Sequence, residues 1–370
     1  GSGLLSEKSK IRIRLITRNA NDRFDRAFWK RKVQWAWNYR KTVMGADASA
    51  CRVLFSEADG FPGLVVDRFE DVLVAETLSV GMERLKLMIF PALLEVLAED
   101  GIAIRGLYER NDASTRSLEG LAQTAGWFAG AAEDAACSLD PINPSQPEAA
   151  VFGPTTTQIM ENGVRYEVDF ENGQKTGFFL DQKYNRRAVA QLAAGRRVLD
   201  CFTHTGSFAL NAAHGGAEYV NAVDVSELAV AQARKNAQLN ELDGKMDFTA
   251  ANVFDLLPQL EAAHDRTYDF IVLDPPAFTK SRKTIDSAGR GYKEINYRAM
   301  KLLPRGGYLA TCSCSHFMDT ERFRRVVSYA AQDAGVQLRQ IEERQQAPDH
   351  PILWDVPETD YLKFFLFQVV

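Results

Sequence analysis

From about residue 171 onward, apolar runs of strand length alternate with stretches of helical period. RRVLDCF leads through THTG into SFALNAAHGG; YVNAVDVS precedes ELAVAQARKNAQLNEL; MDFTAANVFDLL and, after a short helix, YDFIVLDPPAF complete four consecutive strand–helix units. This alternation predicts an α/β fold with an open, mainly parallel sheet. GGYLATCSCS adds a further strand, and YLKFFLFQVV closes the chain. Upstream the period shortens. Residues 52–80 hold three β-rich runs separated by DGFPG and ED, the pattern of antiparallel hairpins. VGMERLKLMIFPALLEVLAED then reads as a helix interrupted only by Pro91, and IAIRGLYER as a returning strand. The stretch 129–150, rich in Ala, Pro and acidic residues, reads as a surface excursion or linker. TTQIMENGVRYEVDF predicts a hairpin turning at Asn162-Gly163, where positive φ is easily met. The domain reading is a basic N-terminal segment and helix over 1–45, a small α+β domain over 46–170, and an α/β domain over 171–370.

Length agrees with more than one domain, since 370 residues exceed the size at which a single core usually keeps growing. No apolar run approaches the ~20 residues of a membrane helix, and no apolar stretch follows a basic start. The expectation is a cytoplasmic protein whose cysteines, Cys51, Cys137, Cys201, Cys312 and Cys314, are reduced. A net charge of −5 speaks against a chain coated in nucleic acid, yet the charge is unevenly spread. Between Lys8 and Lys41 cations far outnumber Asp22 and Asp25 and are interleaved with Phe24, Phe28, Trp29, Trp35, Trp37 and Tyr39. Two readings stay open. Lys30, Arg31 and Lys32 hold RNA phosphates while aromatic rings stack on bases, or an amphipathic helix packs its apolar side and solvates its charges.

In such sheets ligands bind beyond the carboxyl ends of the strands. The first strand ends at Asp200, with Gly206 in the following loop; the second ends at Asp224, a carboxylate able to accept two ribose hydroxyls. That pair suits a nicotinamide enzyme equally, although G-x-G-x-x-G is lacking. Later strands end at Asn252-Val253 and at Asp274-Pro275-Pro276-Ala277-Phe278. The thiols of Cys312 and Cys314 stand one residue apart with only His316 nearby, too few ligands for a zinc site. Alternation in an extended segment puts both on one face with parallel vectors, which disfavours a disulfide between them.

DCFTHTGSF, DVS, NVF, DPPAF and TCSCS, in that order, resemble the motifs of class I S-adenosylmethionine-dependent methyltransferases. NGQKTGFFLDQKYNRR (172–187), GRGYKEINYRAMKLL (289–303) and APDHP (347–351) further resemble the bacterial 23S ribosomal RNA cytosine-5 methyltransferases that carry a PUA domain. The likeness runs from Ser9 to the C-terminus, except over 129–150. It implies a Rossmann-like domain with a mixed, mainly parallel sheet behind a smaller α+β domain, and a preceding PUA domain, expected to have been removed here, whose last strand would correspond to SKIRIRLITR. It implies S-adenosylmethionine held by Phe179, Asp200, Phe202, Thr203, Thr205, Gly206, Asp224, Val225, Ser226, Asn252, Val253, Asp274 and Pro275. Asn252 stands where the family has an acidic residue, so a charge at the adenine amino group is lost. Ribosomal RNA is the implied partner, with no membrane and no metal; a homodimer is left open.

The resemblance also implies a mechanism. Cytosine C5 is too weak a nucleophile to take a methyl group until a thiolate has added to C6. The family's S-C-S pattern falls on Ser313-Cys314-Ser315, making Cys314 the nucleophile and Cys312 its sheet-side neighbour; Ala277 stands where two-cysteine enzymes carry their second thiol. Asp274 is expected on the cytosine edge, and Phe278 and Tyr292 against the flipped base. Arg290 and Lys293 suit a phosphate or the target ring, or are solvated loop charges. His316 and His350 are candidates for moving the C5 proton, or are structural. Competing activities are methylation of guanine N7 or of an exocyclic amine, and a catalytically silent RNA-binding protein.

Overall fold

A computed structural model describes residues 1–129, 152–279 and 281–370; nearly all of the Ala-, Pro- and acid-rich stretch, with Cys137, lies outside them. The chain forms two compact units. The first comprises 1–160, 167–181 and 348–359, the second 161–166, 182–347 and 360–370.

The first unit opens with β1 (Ser2–Leu5) antiparallel to β2 (Ile13–Thr17). Of the strand expected over SKIRIRLITR only Ile13–Thr17 forms, because serine hydroxyls support a bend ahead of it. Ser6 Oγ accepts from Ser9 N at 3.2 Å and Ser9 Oγ from Ile11 N at 3.2 Å. Helix α1 (Arg26–Met44) starts at Asp25, whose carboxylate accepts from Phe28 N at 2.9 Å. It buries Phe28, Trp29, Val33, Ala36, Trp37, Arg40 and Met44, the stripe a 3.6-residue period predicts. A five-stranded sheet follows, with β3 (Ala50–Phe55), β4 (Leu64–Phe69), β5 (Val72–Thr77), β6 (Gly106–Asn111) and β7 (Thr124–Trp127) adjacent in chain order. All pairs are antiparallel except β5–β6, which α2 (Val80–Glu99) connects as a crossover. Pro91 is accommodated inside α2 without ending it.

β8 (Thr156–Glu161) and β9 (Val164–Asp169) form the expected hairpin, with φ of 53° at Asn162 and 83° at Gly163. In the second unit, α3 (Lys183–Leu192) precedes five strands: β10 (Arg197–Cys201), β11 (Tyr219–Asp224), β12 (Met246–Ala250), β13 (Phe270–Leu273) and β14 (Tyr308–Ser313). Between them run α4 (Ser207–His214), α5 (Glu227–Leu239), α6 (Val253–Ala262) and α7 (Ile285–Leu302), followed by α8 (Thr320–Ala334), β15 (Leu338–Arg344) and β16 (Lys363–Val369). The sheet order is β12-β11-β10-β13-β14-β16-β15. The first five strands in that order are parallel, and β16 is antiparallel to both neighbours. This is a Rossmann-like mixed sheet. Strand order reverses between β10 and β13, so their carboxyl ends flank the crevice where such sheets bind ligands. β15 left no apolar signature in the sequence, because it is an edge strand whose residues are mostly exposed.

Candidate active site

Every strand-end motif lies along one edge of the second unit's sheet, as parallel strands require. Asp200, fully buried in β10, accepts at Oδ2 from Thr203 Oγ1 at 2.6 Å and from Ala209 N at 2.9 Å, while Oδ1 has no hydrogen-bond partner. Burial pushes this carboxyl up to about 7, with Asp274 and Asp224 adding to the rise against those two hydrogen bonds. The loop after β10 is strained, with φ of 67° at Phe202 and 51° at His204. Asp224 clamps it: one oxygen accepts from His204 N at 2.9 Å and the other from Ser226 N at 2.9 Å. Gly206 has φ +85°, and a Cβ there would lie 3.0 Å from Ala233 Cβ of α5, so helix packing as well as the backbone calls for glycine. Thr205 Oγ1 is buried without a partner. Val225 and Ser226 are exposed where α5 starts, with Ser226 as its cap. Asn252 caps α6 through Oδ1, accepting from Phe254 N at 3.0 Å, and Val253 is buried behind it. Phe179 is a half-buried residue of the first unit.

At the ends of β13 and β14 the site acquires reactive groups. Asp274 Oδ1 accepts from Gln182 Nε2 at 3.0 Å, and Gln182 Oε1 accepts from Asn185 Nδ2 at 2.6 Å. Sequence reading missed Gln182 and Asn185, although both lie inside the quoted 172–187 motif. The two thiols differ sharply in setting. Cys312 is fully buried within β14, and burial first, then Asp274, raises its thiol well above the ordinary range. Cys314 follows the strand end, half-buried, with Sγ 3.9 Å from Pro275 O. Register thus does not make the thiols equivalent, because the extended segment stops at Ser313.

Several expected base or RNA contacts fall elsewhere. Tyr292 is fully buried, flanked by Phe278 at 4.6 Å and Phe323 at 5.3 Å, and its hydroxyl accepts from Ser313 Oγ at 3.1 Å; a core ring has no face for a base. Phe278, half-buried, also meets Phe202 and Phe254. Lys293 pairs with Asp333 of α8 at 2.6 Å, whereas Arg290 is exposed. His316 is exposed beside Phe317. His350, in the first unit, is buried against Phe55 with Nδ1 2.8 Å from Asp349, which makes it a structural histidine. On α1, Lys30 is held by Glu95 and Glu99 of α2 at 2.6 Å each. Lys32 lies over Phe28 and Phe61, with Nζ donating to Ile16 O at 3.3 Å. Of the three, Arg31 alone is exposed.

Residues 105–368 match the family description of the S-adenosylmethionine-dependent methyltransferases. The chain belongs to this family. Among curated proteins, a ribosomal RNA large subunit methyltransferase I from Aliivibrio fischeri is 38% identical over the whole chain and 87% of its own length. One of the same name from Serratia proteamaculans is 36% identical, over 100% and 87%. A solved putative SAM-dependent methyltransferase from Streptococcus mutans superposes with TM-score 0.80 at 22% identity, covering all of this chain and 88% of that one. A solved putative methyltransferase complexed with SAH gives 0.80 at 23% identity, over 100% and 88%. The methyltransferase's own residues fit its cofactor. S-adenosylmethionine carries a sulfonium and an ammonium, and Asp200 offers a buried carboxylate oxygen with no protein partner at the switch point. Asp224, with one backbone bond on each oxygen, would hold the ribose hydroxyls through its remaining lone pairs, and Thr205 has an unused hydroxyl. Among the described residues, no helix is long and apolar enough to cross a membrane, and no cluster of three or more acidic, His or Cys side chains is arranged to hold a metal ion.

Proposed function

We propose that the protein methylates C5 of a cytosine in large-subunit ribosomal RNA through a covalent adduct with Cys314. Support for the RNA comes from relatives at 36–38% identity over the whole chain that are named for ribosomal RNA methylation. The observation that carries the chemistry is the contrast between the two thiols, one half-buried at a strand end and the other sealed inside β14. S-adenosylmethionine supplies an electrophilic methyl group. Cys314 contributes the electron pair, closing a bond to C6 so that C5 gains enamine character. Asp274 accepts from the cytosine amino group in this reading, and its hydrogen bond from Gln182 supports that role by holding the carboxylate. Loss of the C5 proton and departure of the thiolate restore the aromatic ring.

The test is RNA carrying 5-fluorocytosine at the target, where fluorine cannot leave as a cation and the adduct accumulates. A denaturation-resistant complex, located at Cys314 by peptide fragmentation and lost in Cys314→Ala, is expected. Attachment at Cys312 would overturn the assignment. Methyl transfer to unmodified RNA without any adduct would instead support attack by an exocyclic amine or guanine N7.

A further inference from the structure

Lys363 was not singled out by sequence, yet it is buried to 3% exposure at the start of β16. Antiparallel register sets it opposite Ser313, the residue before Cys314. Its Nζ donates to the carbonyl of Ser315, the residue after Cys314, at 2.6 Å, and to that of Tyr361 at 2.8 Å. Both acceptors are backbone oxygens, so no carboxylate neutralises the ammonium by direct contact. Its third N–H makes no hydrogen bond among the described residues.

We propose that Lys363 is a positioning residue of the covalent step, whose ammonium fixes the backbone around Cys314 and stabilises that side chain as a thiolate. The proposal rests on Cys314 being the nucleophile. A buried cation bonded to the residue that follows a thiol acts through little intervening water, so its field is weakly screened. Burial lowers the Lys363 ammonium to about 8, and Cys314, Asp360 and Asp319 oppose that fall. The coupling is mutual: what the thiolate does for the ammonium, the ammonium does for the thiolate. Other charged groups near Lys363 are compensated locally. Glu343 and Arg344 line a cavity of about 280 Å³ with Lys363, but Glu343 pairs with Arg324 at 2.6 Å and Arg344 with Glu342. On the thiol's side, Tyr292 and Cys312 are buried and uncharged, their ionisation pushed up by burial, and Asp274 is the anion acting on both.

Alkylation by iodoacetamide proceeds through the thiolate, so its rate against pH titrates Cys314 directly in the RNA-free, full-length protein, with the label placed by peptide fragmentation. Wild type should titrate below the ordinary ~8.5. Lys363→Met should raise that midpoint by about one pH unit or more, and Lys363→Arg should restore most of the shift. Superimposable wild-type and Lys363→Met profiles, or a wild-type midpoint at or above the ordinary value, overturn the proposal. If Lys363→Met does not fold, the wild-type midpoint and Lys363→Arg still decide it. A low midpoint in a protein that forms no fluorocytosine adduct would leave the Lys363–Cys314 coupling standing and remove the nucleophile reading alone.

Discussion

If the cofactor's cation meets Asp200, the ionisation of this side chain links binding to pH. Its carboxyl sits near 7 because burial disfavours the anion. A cationic ligand at the free Oδ1 reverses that preference, so binding should draw off a proton. Affinity for S-adenosylmethionine is expected to rise with pH, by up to about tenfold per unit below 7, and to level off above it. Calorimetry in buffers of different ionisation enthalpy reads the released proton. Asp200→Asn, which keeps the shape, should weaken binding and flatten the pH profile. Stability runs the other way. The folded chain keeps a proton that the unfolded chain gives up near ~4, so this group favours folding below that pH, and its contribution is lost as pH rises through about 7. At this scale the sequence identified Asp200, Asp224, Asp274 and Cys314 as strand-end residues, because parallel strands must present their ends on one edge. It misjudged Tyr292, although Ala288, Tyr292, Ile295 and Ala299 form the buried stripe of α7. It passed over Lys363, whose surroundings come from a strand pairing fifty residues distant.

Helix α1 shows how a charge run divides once the element has a face. Lys30, Arg31 and Lys32 are consecutive, and consecutive positions on a helix point about 100° apart. Lys30 therefore meets the carboxylates of α2, Lys32 turns toward aromatic rings, and Arg31 looks outward, its guanidinium 5.8 Å from the exposed Trp35 ring. If α1 contacts RNA, Arg31→Ala should lower the slope of log affinity against log salt by about one, whereas Lys30→Ala should leave it nearly unchanged. Filter binding across a salt series checks both; equal slopes for all three proteins would exclude α1 from the RNA surface. Loop anchoring is the other device at this scale. Gly206→Ala forces a side chain into a left-handed backbone and against Ala233, and a loss of about 1–3 kcal/mol is expected from thermal or denaturant unfolding.

At the scale of the whole molecule, linear order and spatial order part company. Residues 348–359 belong to the first unit, where Arg40, fully buried, donates to Asp349 O at 2.8 Å and Asp349 Oδ2 accepts from Arg52 N at 2.8 Å. Nothing local in APDHP announces this, since the partners are some 300 residues away, whereas the hairpins and the alternating units were legible because they are local patterns. A fragment ending at residue 181 leaves those buried donors short of acceptors, at a cost of about 1–3 kcal/mol for each unmet group. It should melt below the full chain and be stabilised by a synthetic 348–359 peptide; scanning calorimetry with and without peptide decides. The same threading governs synthesis. Domains usually fold in order as they leave the ribosome, but here the N-terminal unit lacks 348–359 until all of 182–347 has been made. A chain stopped short of residue 348 therefore delivers neither unit whole, because each takes in residues beyond that point.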